Sequence, residues 1–172
     1  MKKRLAIALA VILVVGCLLA LMPWSRYISV TTTAYEYALG QTEPLAVHDV
    51  TVEGRYFYRL FRENVFDGRL TVSGYPETQD ASVYIQFWND ENPGMISYQD
   101  SDGIPIWHEP LQFIYCNGDF SRFTIQVYEY TEDGSQASWD KDTGRVLCAG
   151  AADYETMVEY TAQAGLHLEE IK

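Results

Sequence analysis

The sequence predicts a mainly β protein, in which an N-terminal transmembrane helix precedes an antiparallel β-sandwich that carries one C-terminal α-helix. Three observations predict this fold class: an apolar run near the start of the 172-residue chain, short stretches of alternating polarity separated by Gly, Asn and Asp, and one helical repeat near the end. The 13 Tyr, seven Phe and four Trp supply a large core. A closed meander barrel with the same helix is the alternative fold.

The first element is an apolar run from Leu5 to Met22 that follows the basic residues Lys2, Lys3 and Arg4. Eighteen helical residues rise about 27 Å, close to the thickness of a bilayer core. The positive-inside rule places the N-terminus in the cytoplasm, so we expect a single-pass protein of the cell membrane. The predicted organisation is a cytoplasmic tail 1–4, a transmembrane anchor 5–22, a membrane-proximal segment with the first strand 23–46, and an extracytoplasmic β domain 47–172.

A lipid anchor is the alternative to this helix. Val14-Val15-Gly16-Cys17 resembles a bacterial lipobox, in which Cys17 is lipidated and becomes the new N-terminus. The apolar run continues past Cys17 to Met22, whereas lipoproteins usually turn polar at this point. Span length therefore favours the uncleaved helix, in which Cys17 is an ordinary small residue.

Strands are predicted from two-residue alternation. Phe123, Ile125 and Val127 fall on one face of the segment 122–130. A longer strand is predicted between Val50 and Leu60. Further strands are predicted at 28–38, 70–72, 82–88, 94–98, 104–108, 111–116 and 145–149.

Two glycines receive specific roles in this pattern. Gly54 interrupts the strand from Val50 to Leu60, so we expect a bend or bulge there. Phe66-Asp67-Gly68 reads as the hairpin turn that leads into the next strand, because Asp-Gly is a frequent turn pair.

The C-terminal helix is predicted at 153–164. Tyr154, Met157, Val158 and Thr161 recur at helical spacing. Asp153 can cap the start of this helix, and Gly165 follows its end.

The anchor MKKRLAIALAVILVVG and the segment from Val50 to Gly68, with its Leu-Phe-Arg and Phe-Asp-Gly, resemble uncharacterised small single-pass membrane-anchored proteins of Gram-positive, clostridia-type bacteria. The resemblance covers the anchor and about a third of the domain. It implies a location in the cell envelope, and it implies no activity and no site residue.

The charge of the domain argues against a nucleic-acid partner. Four of the 12 bases lie within the first 26 residues, so eight Lys or Arg face all 24 acids in the rest of the chain. Nucleic-acid binding needs clustered cations, and these eight are scattered. The predicted partners are the lipid bilayer, through residues 5–22, and another envelope protein.

Aromatic side chains are the first candidate ligand site. Tyr84 and Trp88 fall on the face of their strand opposite to Val83, Ile85 and Phe87. Together with Trp107 and Trp139 they offer rings that can stack on a sugar or anchor a protein. The alternative is that the C-terminal helix covers this face.

Acidic turns are the second candidate. Asp100 and Asp102 in one turn, and Asp140 and Asp142 in another, place oxygen ligands suited to calcium at alternate positions. Neither turn matches an EF-hand loop, and Asp also serves the backbone geometry of turns. No cofactor is predicted.

Outside the apolar run the chain has two cysteines, Cys116 and Cys148. In an oxidising compartment they could form a disulfide, and the alternative is that both are buried free thiols.

Catalysis has the weakest basis, because the chain contains no nucleophile elbow, zinc helix, P-loop or dinucleotide fingerprint. An enzyme would need two or more of His48, His108, Cys116 and the acids to converge in a cleft. We therefore expect a non-enzymatic interaction or accessory protein of the envelope. The second expectation is a module that binds a glycan, a small molecule or calcium.

Overall fold

The fold is a closed eight-stranded antiparallel β-barrel followed by one α-helix. It is seen in a computed structural model, which describes residues 10–14, 16, 24–60, 62–88, 93–106, 110–116, 118–130, 139–163, 166 and 168. The strands are β1 (Trp24–Ala38), β2 (Ala46–Tyr58), β3 (Asn64–Val72), β4 (Ser82–Phe87), β5 (Gly94–Gln99), β6 (Leu111–Cys116), β7 (Phe123–Val127) and β8 (Arg145–Ala149). A short 3-10 helix, Pro76–Thr78, follows β3, and the α-helix α1 is Tyr154–Gln163.

The predicted sandwich is wrong, and the alternative meander barrel is confirmed. Each strand pairs with its neighbour in the chain, and β1 also pairs with β8 from Ala34 opposite Ala149 to Ala38 opposite Arg145. Two-residue alternation is the same in a sandwich and in a barrel, so only this last pairing distinguishes them. We call the contact between β1 and β8 the seam.

The meander separates the loops into two groups. The entry end of the barrel carries the start of β1 and the loops 59–63, 88–93 and 117–122, whereas the far end carries the loops 39–45, 73–81, 100–110 and 128–144. The strands predicted at 111–116 and 145–149 match β6 and β8. The segment predicted at 104–108 is not a strand in its described part, where Pro105 forms only an isolated bridge with Gln99.

Gly54 and Gly68 lie opposite each other inside regular strands. Of the bend or bulge predicted at Gly54, the bulge is therefore wrong, and so is the turn predicted at Gly68. The register between β2 and β3 runs unbroken from Val50 to Phe57, and Phe66-Asp67-Gly68 belongs to β3. A Cβ atom on Gly54 would lie 2.6 Å from the Cα of Gly68 and 2.9 Å from the ring of Phe66. The glycines therefore allow two backbones and an aromatic ring to approach closely.

The barrel interior is filled by side chains, as is typical of eight-stranded barrels of this size. At the entry end four rings contact one another, with the centroids of Phe66 and Phe120 4.8 Å apart and those of Tyr56 and Phe87 5.5 Å apart. Phe120 reaches this cluster from the loop before β7, where its φ angle is 58°. We call these four residues the aromatic plug.

The single C-terminal helix is confirmed, and it packs outside the barrel against the seam. Asp153 caps it as predicted, because its Oδ1 accepts a hydrogen bond of 2.8 Å from the backbone N–H of Thr156. Met157 packs among Tyr37 of β1 and Val146 and Cys148 of β8. The predicted cap Gly165 lies outside the described residues.

Residues 10–14 are helical, whereas most of the apolar run lies outside the described part of the chain. Within the described residues, no helix has the length and apolar character needed to span a bilayer.

Candidate functional site

A surface without charges covers the outer side of β4, β5 and β6. Their sequences SVYIQF, GMISYQ and LQFIYC contain no charged residue, although 21% of the whole chain is charged. The cross-strand register places the outward-facing residues of the three strands side by side, with Gln86 opposite Met95 and Met95 opposite Phe113. We call this surface the neutral face. It consists of Ser82, Tyr84, Gln86, Trp88, Met95, Ser97 and Phe113.

Large apolar side chains of the neutral face reach solvent. Tyr84 and Met95 are each 37% exposed, and Trp88 is 44% exposed. The alternative in which the C-terminal helix covers Tyr84 and Trp88 is wrong, because that helix packs over β7, β8 and β1. Val83, Ile85 and Phe87 point into the barrel, as predicted.

The four aromatic residues predicted as a ligand site do not form one cluster. Tyr84 and Trp88 share the outer side of β4. Trp139 lies in the apolar cluster beneath the helix, where its Nε1 donates a hydrogen bond of 2.8 Å to the carbonyl of Arg145. Trp107 lies outside the described residues.

The first Asp of each acidic turn binds backbone of its own turn. Oδ1 of Asp100 accepts hydrogen bonds of 2.9 Å from the N–H groups of Asp102 and Ile104. Oδ1 of Asp140 accepts the N–H of Asp142 at 2.8 Å, and such hydrogen bonds lower the pKa of Asp140. Across the described residues, no three His, Cys, Asp or Glu side chains are grouped to hold a metal ion.

The two cysteines are free and lie on opposite sides of the sheet. Cys116 packs against the barrel interior, whereas Cys148 packs beneath the helix on the outer side. The strand β7 separates them, with Phe123 paired to Cys116 and Thr124 paired to Cys148. Burial raises the pKa of both thiols, that of Cys148 to about 11. The register therefore does not bring these sulfurs together for a disulfide.

Sequence reasoning missed a buried polar cluster at the far end of the barrel. Glu36 of β1 accepts hydrogen bonds of 3.0 Å from the Tyr75 hydroxyl and 3.1 Å from Nη1 of Arg145, and its Oε2 lies 3.0 Å from Nε2 of His48. Glu36 is 5% exposed, and His48 and Tyr75 are each 9% exposed. We call these four residues the ionic plug.

The loop after β3 fixes the orientation of His48. Nδ1 of His48 hydrogen-bonds the carbonyl of Ser73, and the ring of Tyr75 lies 5.4 Å from the imidazole. Gly74 has a φ angle of +89°, and a Cβ atom there would lie 2.9 Å from Cε1 of His48. Burial, followed by the nearby charge of Glu36, raises the pKa of Tyr75.

The ionic plug is arranged to join strands. Glu36 and Arg145 lie on the two strands of the seam, and His48 and Tyr75 connect it to β2 and to the loop after β3. Arg145 also extends towards the surface, where its Nε lies 3.1 Å from Oε1 of Glu129.

Cys116 lies at the end of β6 on the entry side, so it does not converge with His48. His108 is outside the described residues.

Charge is distributed unequally between the two ends. Among the described loop residues, the far end has one lysine, Lys141, and most of the acids: Glu43, Glu77, Asp80, Asp100, Asp102, Glu129, Asp140 and Asp142. The described loop residues of the entry end balance three arginines, Arg59, Arg62 and Arg122, with three acids, Glu63, Asp119 and Asp153. The far end is therefore the strongly acidic one.

Comparison with protein-family models gives no match, and neither the curated proteins nor the solved structures contain a match to this chain.

Proposed function

We propose that this chain is a non-enzymatic barrel, anchored in the cell membrane and exposed outside the cytoplasm, that binds another envelope protein through the neutral face. The observation that carries the proposal is a charge-free outer surface on three adjacent strands with Tyr84, Trp88 and Met95 exposed. The core of a protein interface is depleted in charge and enriched in aromatic residues and Met, which is the composition of this surface.

The charged outer side of β1 to β3 provides the contrast that supports this assignment. Glu53 lies opposite Arg69, and Arg55 lies opposite Asp67, so this side presents cross-strand charge pairs to water. A solvated surface of an acidic protein has this composition. The neutral face has no such charge pairs, and its residues form one continuous surface. A continuous surface favours a specific contact over chance exposure of single residues.

The closed barrel also favours recognition by side chains. A partner strand needs an unpaired sheet edge to add to, and at Gly94 and Met95 the strand β5 is paired with both β4 and β6. The partner therefore meets rings and Met95 instead of backbone groups. Two of these aromatic side chains, Tyr84 and Trp88, belong to types that often dominate binding energy at interfaces.

The membrane location in this proposal comes from the sequence. The apolar run from Leu5 to Met22 is long enough to span a bilayer as a helix, and the bases Lys2, Lys3 and Arg4 precede it. A lipid on Cys17 would give the same location by a different attachment.

The test is photo-cross-linking of the full chain in its native cell, with a photoreactive residue in place of Met95. The matched control carries the same residue in place of Thr31, which is exposed on the outer side of β1. We expect one discrete protein adduct from position 95 and a diffuse background from position 31. Equal patterns from the two positions would contradict the proposal, and a glycan adduct at position 95 would replace it with the ligand-binding alternative.

A further inference from the structure

We infer that the entry end of the barrel contacts the interfacial layer of the bilayer through a defined set of side chains. This inference rests on the membrane anchor of the proposed function and adds the surface that meets the lipid. We call this set the entry rim: Trp24, Tyr58, Arg59, Leu60 and Arg62.

The entry rim exposes two large apolar side chains that lie close to each other. Leu60 is 70% exposed at the tip of the loop between β2 and β3, and Trp24 is 67% exposed at the start of β1. The two lie close in space because Trp24 pairs with Tyr58, two residues before Leu60. The side chain of Asn64 stabilises this loop, since its Oδ1 accepts a hydrogen bond of 3.0 Å from the N–H of Arg59.

The chemistry of the entry rim fits the headgroup region of a bilayer. Trp and Tyr concentrate at the membrane interface, where one side of the ring is apolar and the other is hydrated. Arg59 and Arg62 flank Leu60. Arginine can place its aliphatic stem along apolar surface while its guanidinium binds a phosphate. Glu63 is the single acid in the same loop.

Chain continuity supplies the second argument. The apolar run ends at Met22, and β1 begins at Trp24, so only Pro23 separates them. Two residues of extended chain span about 7 Å. A barrel attached so closely to an anchor cannot move away from the bilayer, and its entry end is the end nearest to the lipid. The acidic far end then points away from an anionic membrane surface.

The test places a nitroxide spin label at Leu60→Cys in the full chain, reconstituted in nanodiscs that contain phosphatidylglycerol. The matched control carries the label at Glu43→Cys, in an exposed loop of the far end. Collision with oxygen reports contact with lipid, and collision with a water-soluble nickel chelate reports contact with solvent. The unsubstituted chain, labelled identically, gives the background from its own cysteines.

We expect the ratio of oxygen to nickel collisions to be several-fold higher at position 60 than at position 43. Adding Arg59→Glu and Arg62→Glu should lower the ratio at position 60 towards that at position 43. Equal ratios at the two positions in the original chain would overturn the inference.

Failure of the inference can be distinguished from failure of the proposed function. Co-elution of the chain with nanodiscs tests the anchor, whereas the cross-link at position 95 tests the protein partner. If the chain co-elutes but the label at position 60 is exposed to solvent, the membrane anchor is supported and the inference about the entry rim fails. If the chain does not co-elute, the membrane anchor and the inference about the entry rim both fail.

Discussion

The two ends of the barrel interior are closed by different chemistry. The aromatic plug at the entry end consists of three Phe and one Tyr whose rings contact each other, whereas the ionic plug at the far end gathers Glu36, His48, Tyr75 and Arg145. The aromatic plug gains its stability from burial and ring contacts, which do not require a particular protonation state. The stability of the ionic plug depends on each of its side chains, because a buried charge without a partner raises the free energy of the folded state.

Solution conditions should therefore affect the two ends differently. Both plugs fill the same barrel, so a general loss of stability affects the whole domain. Their responses to mutation and to pH should differ, because only the ionic plug contains charged groups.

Phe120→Ala should cause the largest loss. The side chain is fully buried against Phe66, and removing it leaves a cavity at the entry end. We expect the free energy of unfolding to fall by about 4 kcal/mol. Urea denaturation followed by fluorescence measures it, with Tyr84→Ala as the control, since Tyr84 is exposed. A loss below about 1 kcal/mol would show that the loop before β7 does not close the barrel.

Glu36→Gln should have an intermediate effect. The amide keeps the shape of the side chain but removes the charge that Arg145 contacts at 3.1 Å. We expect a loss of about 2 kcal/mol, within the range for hydrogen bonds to charged groups. Replacing Glu36, His48, Tyr75 and Arg145 together by Leu, Leu, Phe and Met serves as the comparison, because apolar replacement of a whole buried cluster is often neutral. If that quadruple variant is much less stable than Glu36→Gln, the ionic plug does more than satisfy its own charges.

Tyr75→Phe should have the smallest effect at neutral pH and a distinct effect in alkali. The folded state holds the pKa of Tyr75 above its ordinary value near 10, chiefly through burial. The protonated Tyr75 hydroxyl therefore makes its full contribution to stability below about pH 10, its pKa in the unfolded chain. This contribution is lost as the pH rises from about 10 towards the higher pKa of the folded state. The melting temperature should therefore fall less steeply between pH 8 and pH 11 in Tyr75→Phe than in the unsubstituted protein. Parallel profiles for the two proteins would mean that the ionic plug does not sense alkali. The profile of Phe120→Ala should be lower than that of the unsubstituted protein and parallel to it, because the lost ring contacts do not depend on pH.

Local pattern predicted most of the strands and the helix. Alternation fixed which residues of β4 and β7 face inwards, and the capping preference of Asp placed the start of the helix at Asp153. The sandwich prediction failed at the seam, since Ala34 and Ala149 carry no local signal that they will pair. Phe66-Asp67-Gly68 was read as a turn because Asp-Gly favours turns, yet Gly68 serves a close contact with Gly54.

The ionic plug could not be predicted from the sequence for a related reason. Its residues lie on β1, β2, β8 and the loop after β3, so only the closed topology brings them together. The segment Tyr35-Glu36-Tyr37 also reverses the usual arrangement, in which apolar side chains face the interior and charged ones face solvent. Glu36 lies inside the barrel, and the two Tyr pack towards the helix. The helix covers the outer side of β1 at Tyr35 and Tyr37, so both sides of this end of the strand are covered and the usual distinction between core and solvent is lost there. The neutral face was predictable in part, through Tyr84 and Trp88, while its extent across β5 and β6 required the register.

The seam sets the order in which this barrel can form during synthesis. Every other strand pairing joins neighbours in the chain, whereas Ala34 and Ala149 are more than a hundred residues apart. Local hairpins close rapidly, and a distant contact pays a larger entropy of loop closure. Until β8 has emerged, the nascent sheet carries two open edges that can pair with other chains. We therefore expect the nascent chain to need a holding chaperone until β8 emerges, and the pairing of β8 with β1 to convert an aggregation-prone sheet into the native domain.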